Sequence, residues 1–396
     1  MLVGRFLRHV RVLASSHRER IVVNGSWAGG WALLSEQHTA GGTLISCHLP
    51  LQDGHLGPRT DPPVLSRVSR SGLVESWHRG SVVVVHRGEV VFALGDPDQY
   101  VCARSAVKPF QALPLIERGV AARLGLTSAE LALTASSHNG TPEQTALAKQ
   151  ILARGGFGQE DLLLGPHSPF DQKASIAIAA AGAKPQKIHN NCSGKHAGFL
   201  LLARDMEAEP EGYLEPDSEP QALIRRTVAE MTEIPEAQIH VGIDGCGAPA
   251  LGLPLHNLAR GFANLTNPAP LGDVRREACT LLRTAIADNP SIYAGVGRLC
   301  TALIQALPGI IYPKNGAEGV YAFGLAGRET GVAIKVDDGA TRGYLPVVVD
   351  LLGNLGLWDE IPEVLREFCP RVVRNTQGLR VGEVSCTVSW PTALTT

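Results

Sequence analysis

The order of the predicted elements along the chain constrains its fold most. Two β-rich runs, Ser81–His86 and Glu89–Ala93, flank Arg87-Gly88 and predict a hairpin. A second pair of such runs, Gly319–Phe323 and Gly331–Val336, lies toward the C terminus. Helical patterns fill the interval between the pairs. Strands from both ends of the chain with helices between them predict an α+β fold, in which one antiparallel sheet is packed with helices.

The helices in this interval carry recognisable start signals. Thr141-Pro-Glu-Gln144 is a capping box with proline at the first helical position, and its helix is predicted to end at Gly155-Gly156. Ser218-Glu-Pro-Gln221 repeats the signal. Two further helical windows are Val274–Ala287 and Arg298–Leu307. No internal repeat is found, and the single sheet closed by strands from both ends predicts one domain.

The balance of charged residues indicates which kinds of binding partner to expect. The 396 residues include 36 Lys and Arg against 38 Asp and Glu, which gives a net charge of -2. A basic surface for nucleic acid or an anionic membrane is therefore not expected. Hydrophobic residues make up 44% of the chain, enough for a substantial core, which argues against disorder. We expect the partner to be a small molecule.

The cysteines and the N-terminal residues predict a cytoplasmic protein. The eight cysteines are scattered and do not form the framework of a small disulfide-stabilised domain, which indicates a reducing compartment. No run reaches the roughly 18 apolar residues that a membrane-spanning helix needs. Arg5, Arg8 and Arg11 interrupt the segment that would have to be the apolar part of a secretory signal.

Residues 1–63 differ from the rest of the chain. They are rich in glycine, lack a sustained period and end at Asp61-Pro62-Pro63. We predict that this segment is a poorly structured N-terminal appendage and that residues 64–396 form the catalytic domain. An over-extended gene start, with Val64 as the true start, is the alternative explanation.

The first polar motif is Ser105-Ala-Val-Lys108, followed by Pro109. At this spacing on a helical turn the serine hydroxyl and the lysine amine share one face and can hydrogen-bond. Pro109 lacks a donor N–H and places the pair at the start of a helix. A desolvated Lys108 would be a neutral amine able to take the Ser105 proton. Taken alone, the motif is more often a helix cap with a solvated lysine.

The second motif is Ser136-Ser-His-Asn-Gly140, directly before the capping box. It places two hydroxyls, an imidazole and an amide beside unpaired helix N–H groups, which predicts either a carboxylate receptor or an ordinary polar cap.

The third and fourth motifs are His189–His196 and Asp244-Gly-Cys-Gly247, the latter at the end of the strand-like run Ile239–Ile243. Taken singly, Cys192 or Cys246 is most simply a buried thiol. Together they could hold a soft divalent metal such as zinc, with the remaining positions filled by Lys195, an imidazole or water.

Taken together, these motifs resemble the L-asparaginase II family, the rhizobial-type or class 3 asparaginases. The resemblance covers Val64 to the C terminus and not the first 63 residues. The blocks that carry it, in chain order, are Arg70–Arg79, Ser105 with Lys108, Ser137-His138-Asn139, Asn191–Gly198, Asp244–Pro249 and Lys314-Asn-Gly-Ala-Glu-Gly319. It implies deamidation of L-asparagine to L-aspartate and ammonia by a homodimer with a fold similar to serine β-lactamases and glutaminases.

The resemblance also implies roles for the catalytic residues. Ser105 is expected to be the nucleophile and Lys108 its base. Ser137 and Lys314 are expected to form a second Ser-Lys pair in the same pocket, with Lys335 as an alternative to Lys314.

The family's zinc site maps onto Cys192, Lys195 and Cys246, completed by water. Asp244 is expected to bind the α-amine of the substrate. Arg104, His138 and Asn139 are further candidates for contacts with the substrate or with the surrounding polar network.

Two other functions compete with the asparaginase interpretation. The first is a glutaminase or related serine amidase, although the Lys-Thr-Gly triplet of penicillin-recognising enzymes is absent from the sequence. The second is a non-catalytic amino-acid sensor that keeps the pocket for binding alone. The presence of both Ser105 and Lys108 favours an enzyme.

Overall fold

The computed structural model describes residues 21–23, 32–39, 42–48 and 61–391, the first three ranges by their backbone alone. The chain divides into two units, residues 1–60 and residues 61–396. In the first unit, β1 (Ile21–Val23), β2 (Ala32–Thr39) and β3 (Gly42–His48) form an antiparallel sheet. The rest of this unit lies outside the described residues, so the poor order predicted for residues 1–63 stays a prediction.

The second unit contains eleven strands among its described residues. They are β4 (Val64–Arg70), β5 (Leu73–His86), β6 (Glu89–Leu94), β7 (Tyr100–Cys102), β8 (His240–Ile243), β9 (Pro249–Pro254), β10 (Ile311–Asn315), β11 (Val320–Leu325), β12 (Thr330–Val336), β13 (Arg371–Arg374) and β14 (Arg380–Cys386). Eight of them form an antiparallel sheet in the order β10-β11-β12-β5-β4-β14-β13, with β6 paired to β5. This sheet unites strands from both ends of residues 61–391, which confirms the predicted α+β class.

The helices of the described residues are α1 (Lys108–Glu117), α2 (Val120–Arg123), α3 (Ser128–Thr134), α4 (Pro142–Arg154), α5 (Gln172–Ala180), α6 (Ser193–Asp205), α7 (Glu219–Thr232), α8 (Leu255–Thr266), α9 (Asp273–Asp288), α10 (Pro290–Ala294), α11 (Leu299–Ala306) and α12 (Thr341–Asn354). No helix in the described part of the chain is long and nonpolar enough to cross a membrane.

The predicted secondary-structure elements are confirmed with small shifts at their ends. Arg87 and Gly88 both have positive φ and turn β5 into β6, as the hairpin requires. Thr141 and Gln144 form the predicted reciprocal capping box of α4, which ends before Gly155. Ser218 precedes α7, although its side chain makes no capping hydrogen bond.

A second, smaller sheet brings two of the motifs together. Its order is β7-β9-β8, and both outer strands run antiparallel to β9. Because β7 and β8 therefore run in the same direction, their C-terminal ends lie at the same edge of the sheet. β7 ends two residues before Arg104 and β8 ends directly before Asp244. The first and fourth motifs thus meet at this edge.

Helix α8 packs on the main sheet at two facing glycines. Gly324 of β11 pairs with Gly331 of β12, and α8 contacts both strands. A Cβ at Gly331 would lie 1.9 Å from the carbonyl oxygen of Ala259, and one at Gly324 would lie 2.2 Å from that of Phe262. Glycine is required here because the helix backbone occupies the space of a side chain.

We predict that Gly331→Ala destabilises the protein by about 1–3 kcal/mol, because α8 must move away from β12 to admit the methyl group. Gly242→Ala on β8 is the matched control, since a Cβ there meets its nearest atom at an ordinary 3.9 Å; we expect its effect to stay within about 0.5 kcal/mol. Denaturant unfolding measures both. Equal stability of the two variants would contradict this packing.

Candidate active site

The first motif lies at the start of α1. Residues Arg104–Val107 form a turn of 3-10 helix that leads into α1 at Lys108. Pro109 occupies the first turn of α1, where a missing N–H costs no hydrogen bond, as the sequence predicts. The Lys108 side chain is buried, whereas Ser105 is half-buried. Lys108 therefore lies in the protein interior, and Ser105 lies where the interior meets the surface.

The Lys108 amine reaches two other motifs. Its Nζ donates to Ser136 O at 2.7 Å, to Ser137 Oγ at 3.0 Å and to Cys192 Sγ at 3.2 Å. An ammonium group has three N–H donors, and these three acceptors use all of them. Ser105 Oγ is not among the partners of Lys108 in the described residues, so the hydrogen bond expected from the spacing is not formed. The long lysine side chain extends instead toward the loop after α3.

The second lysine approaches the same hydroxyl from β10. Lys314 Nζ donates to Ser137 Oγ at 2.9 Å and to Asn315 O, also at 2.9 Å. The alternative lysine, Lys335, donates instead to the backbone oxygens of Glu318 and Val336. Lys314 is therefore the lysine that the fold brings to Ser137, and this hydroxyl lies between two buried amines.

Burial changes the proton affinity of both amines. It lowers the pKa of Lys314 well below its usual range, and the nearby charge of Lys108 lowers it further. Burial also lowers the pKa of Lys108, although the neighbouring thiol groups oppose this shift. A neutral amine beside a hydroxyl can accept its proton, which is the arrangement needed to activate a serine.

The third and fourth motifs meet at two thiols. Cys192 immediately precedes α6, Cys246 lies in the loop after β8, and each thiol changes the pKa of the other, so the two side chains lie close together. Lys195 Nζ donates to Cys246 Sγ at 3.2 Å, as Lys108 does to Cys192. The hydrogen bond from Cys246 and the charges of both lysines lower the pKa of Cys192 well below its usual range. These interactions favour the thiolate form of Cys192.

The donor set of this cluster fits zinc. Zinc in proteins takes four tetrahedral ligands of sulfur, nitrogen or oxygen, and Cys192, Cys246 and Lys195 supply two sulfurs and one nitrogen. Lys195 would have to lose a proton to bind, because the two thiols raise its pKa against the effect of burial. Among the described residues, no three His, Cys, Asp or Glu side chains converge on one point. A metal here would therefore need the lysine and an open position for water or substrate.

Arg104 and Asp244 form an ion pair at the edge of the smaller sheet. Arg104 donates through Nε to Asp244 Oδ2 at 3.0 Å and through Nη2 to Oδ1 at 3.1 Å. Burial alone would raise the pKa of Asp244, but the Arg104 hydrogen bond and the Lys195 charge lower it below its usual range. Asp244 thus stays a carboxylate, as a contact with a substrate ammonium requires.

His138 lies in a buried network behind Ser137. Its Nε2 bonds to Ser193 Oγ at 2.9 Å, and Gly140 N donates to its Nδ1 at 3.1 Å. Because Ser193 Oγ donates to Ile188 O, it accepts from His138, which fixes a neutral imidazole with its proton on Nε2. Burial and the Lys108 charge lower the pKa of His138 to about 3. His138 therefore links two motifs as part of the polar network.

Asn139 lies beside this network with an unused acceptor. The backbone N–H groups of Asn139 and Thr141 both donate to Gln144 Oε1. The Gln144 side chain therefore occupies N–H groups at the helix start that the sequence offers for binding a carboxylate. Asn139 Nδ2 donates to Val296 O at 3.4 Å. Its Oδ1 is buried and has no hydrogen-bond partner among the described residues.

Two residues near the lysines were not predicted from the sequence. Asn315 accepts from Lys314 through its backbone oxygen, and the Lys314 Nζ lies 6.0 Å from the centre of the Tyr293 ring. Asn315 follows Lys314 within the motif that carried the family resemblance, so a signal for it was present. Tyr293 carried none, because only the packing of α10 against the site places its ring there.

Comparison with known proteins identifies a family for most of the chain. Residues 66–386 match the family model described as L-asparaginase II. No curated protein matches the chain. The matched range includes all eleven predicted site residues and excludes the first 65 residues.

The chain is also similar to solved structures of low sequence identity. A class C β-lactamase is 14% identical, with a TM-score of 0.39, and the match covers 69% of this chain and 92% of that one. A β-lactamase from Mycobacterium bovis is 14% identical, with a TM-score of 0.33, and the match covers 66% of this chain and 88% of that one. The protein Mglu in its tris and glutamate form is 15% identical, with a TM-score of 0.34, and the match covers 76% of this chain and 64% of that one.

The environment of His138 predicts a pH-dependent stability. The pKa of this histidine lies at about 3 in the folded chain and at about 6.5 when unfolded. The stability it contributes is therefore complete above about pH 6.5 and is lost as the pH falls toward 3. Between pH 7 and pH 5 this loss is about 2 kcal/mol.

We expect the free energy of unfolding of His138→Gln to fall by about 2 kcal/mol less than that of the wild type over this range, because glutamine does not titrate. His240→Gln, at an exposed histidine, is the control and should keep the wild-type pH dependence. Parallel pH profiles of wild type and His138→Gln would show that His138 is not buried in its neutral form.

Proposed function

Because the chain belongs to the L-asparaginase II family, we propose that it hydrolyses the side-chain amide of L-asparagine to L-aspartate and ammonia. Family membership supports amidohydrolase activity. The observation that carries the proposal is the position of Ser137 Oγ, within 3.0 Å of Lys108 Nζ and 2.9 Å of Lys314 Nζ. We also propose that the protein is a cytoplasmic homodimer.

Ser105 is the proposed nucleophile. Its hydroxyl is half-buried and makes no hydrogen bond with the described residues, so it is available to a substrate. It lies one residue from Arg104, whose partner Asp244 would hold the substrate ammonium. Lys108 has to turn from Ser137 toward Ser105 to serve as its base. Ser137 and Lys314 would then pass the proton onward.

The reaction follows two steps of acyl transfer. Ser105 Oγ gives its proton to a neutral amine and bonds to the amide carbon of the substrate. The carbon–nitrogen bond then breaks as the leaving nitrogen receives a proton from a lysine, which releases ammonia. Water then adds to the carbonyl carbon of the β-aspartyl ester and loses a proton to the amine. The bond between this carbon and Ser105 Oγ breaks, and Ser105 Oγ takes the proton back from the amine as aspartate leaves.

Ser137 is a second candidate for the nucleophile, because it is the serine that directly contacts both amines. In that case Lys108 and Lys314 need not move to take its proton. The two assignments differ in which serine carries the ester intermediate.

We predict that the wild type releases ammonia from L-asparagine faster than from L-glutamine and that Ser105→Ala lowers this activity at least about a thousand-fold. Ser137→Ala should lower it by about 100-fold, through lost proton transfer. Ser175→Ala on α5 is the control. Peptide mass spectrometry of acid-quenched reactions should find the β-aspartyl ester on Ser105.

Each other outcome has a defined meaning. An ester on Ser137 would transfer the nucleophile to that residue. Faster release from L-glutamine would make the enzyme a glutaminase. Equal rates of ammonia release for the wild type and both serine variants would overturn the serine mechanism. Binding of L-asparagine without ammonia release would overturn the proposed activity and favour the sensor.

We also propose that Cys192, Lys195 and Cys246 hold a zinc ion. When bound, zinc would orient the substrate and lower the pKa of groups beside it. The proposal rests on the convergence of two sulfurs and one amine described above.

We predict that purified wild-type protein contains zinc and that Cys246→Ala lowers the ratio of zinc to chain several-fold, because one of three protein ligands is lost. Cys279→Ala is the matched control, since Cys279 is another buried free thiol. Elemental analysis measures the ratio. A wild-type protein without zinc, or the same ratio in both variants, would exclude this site.

A further inference from the structure

Arg298 is a half-buried arginine that has no role in the proposed reaction. Arg298 lies between the loop Gly295–Gly297 and α11, and its guanidinium carbon lies 5.3 Å from the centre of the Phe170 ring. Stacking on a ring uses the face of a guanidinium and leaves its in-plane N–H donors free. Phe170 is itself 57% exposed, so this contact faces an opening in the surface.

Contacts on either side tie Arg298 to the site. The Phe170 ring packs on His167, whose Nε2 accepts from the backbone N–H of Asn191, the residue before Cys192. On the other side, Cys300 Sγ contacts Asn315 Oδ1, which also accepts from Lys314. Both the ring that stacks on Arg298 and the residue two positions after Arg298 are therefore connected to residues of the site.

The loop before Arg298 presses on Asn139. A Cβ at Gly295 would lie 2.3 Å from Asn139 Nδ2, and Gly295 has a φ of +96°. Asn139 is also the residue whose side-chain oxygen is buried without a partner. An unused acceptor therefore lies next to the segment that presents Arg298.

The partly buried charge of Arg298 has no counter-ion among the described residues. Within residues 61–391 its guanidinium makes neither a hydrogen bond nor an ion pair, and burial lowers its pKa. Its charge also lowers the pKa of Lys314 and of His138, so it acts on the site. The site's other arginine, Arg104, is already neutralised by Asp244. A partly buried guanidinium without a carboxylate is costly unless a ligand supplies one.

We propose that Arg298 binds the α-carboxylate of the substrate and so selects free α-amino acids over amides that lack this group. The inference rests on the proposed function. A guanidinium binds a carboxylate through two parallel N–H···O bonds, the geometry that its free edge offers. Asp244 would hold the α-amine and Arg298 the α-carboxylate, which leaves the side-chain amide to reach the serines.

The test compares L-asparagine with L-asparagine methyl ester, which keeps the side-chain amide and loses the negative charge. Ammonia release gives kcat and KM for the wild type, Arg298→Gln and the control Arg226→Gln at an exposed arginine on α7. A hydrogen bond to a charged group is worth about 10- to 100-fold in binding. We expect the wild type and Arg226→Gln to prefer asparagine by this factor.

In Arg298→Gln this preference should be lost. We expect kcat/KM for asparagine to fall by the same factor, mainly through a higher KM, while that for the methyl ester changes less than about two-fold. An equal loss for both substrates would assign Arg298 a structural role, and an unchanged preference would also overturn the inference. If Arg298→Gln does not fold, Arg298→Lys carries the comparison, with a reduced preference expected.

Failure of the proposed function is distinguishable from failure of this inference. If the wild type releases ammonia from neither compound, the amidohydrolase proposal fails. Thermal unfolding with L-aspartate or its α-methyl ester then tests Arg298 alone. Stabilisation of the wild type by L-aspartate but not by the ester, lost in Arg298→Gln, would support carboxylate binding. Equal effects of the two compounds, or none, would overturn it.

Discussion

The site is organised around one hydroxyl held between two buried amines. Two ammonium groups this close to Ser137 Oγ, in a region from which water is excluded, repel each other strongly. Burial lowers the pKa of Lys314 well below its usual range, and the like charge of Lys108 lowers it further. Lys108 keeps more proton affinity because it contacts the Cys192 sulfur. The fold thus gives the two lysines different proton affinities.

The thiols are the other half of this electrostatic arrangement. Cys246 and the charges of two lysine amines lower the pKa of Cys192, so a thiolate at this position would balance buried positive charge. The same atoms form a donor set of two sulfurs and a nitrogen. A divalent metal would replace protons in this cluster, which makes metal binding and lysine protonation interdependent. Cys192 takes part in both the proposed metal site and the lysine cluster, because its sulfur accepts a hydrogen bond from Lys108.

Much of this site was predictable from single motifs, and its connections were not. The Ser-x-x-Lys spacing correctly placed Lys108 at the start of a helix, but it paired this lysine with Ser105, whereas the structure pairs it with Ser137. Four rotatable bonds let a lysine amine reach well beyond its own helical turn, so its partner depends on which loop packs nearby. The sequence indicates Arg298 only as the start of a helical window, because no local pattern shows whether its charge has a partner.

The sequence by itself determined the elements and their class: the alternation of β-rich runs, the capping box at Thr141 and the motifs specific to one family. These are local properties, since hydrophobic period, capping and turn formation depend on residues a few positions apart. Only the tertiary structure decided that Lys108 and Lys314 share Ser137 and that Cys192 lies close to Cys246. It also decided that, within residues 61–391, Arg104 has a carboxylate partner and Arg298 has none. Such pairings depend on how strands and helices distant in the sequence pack, and on the burial that packing imposes on each charge.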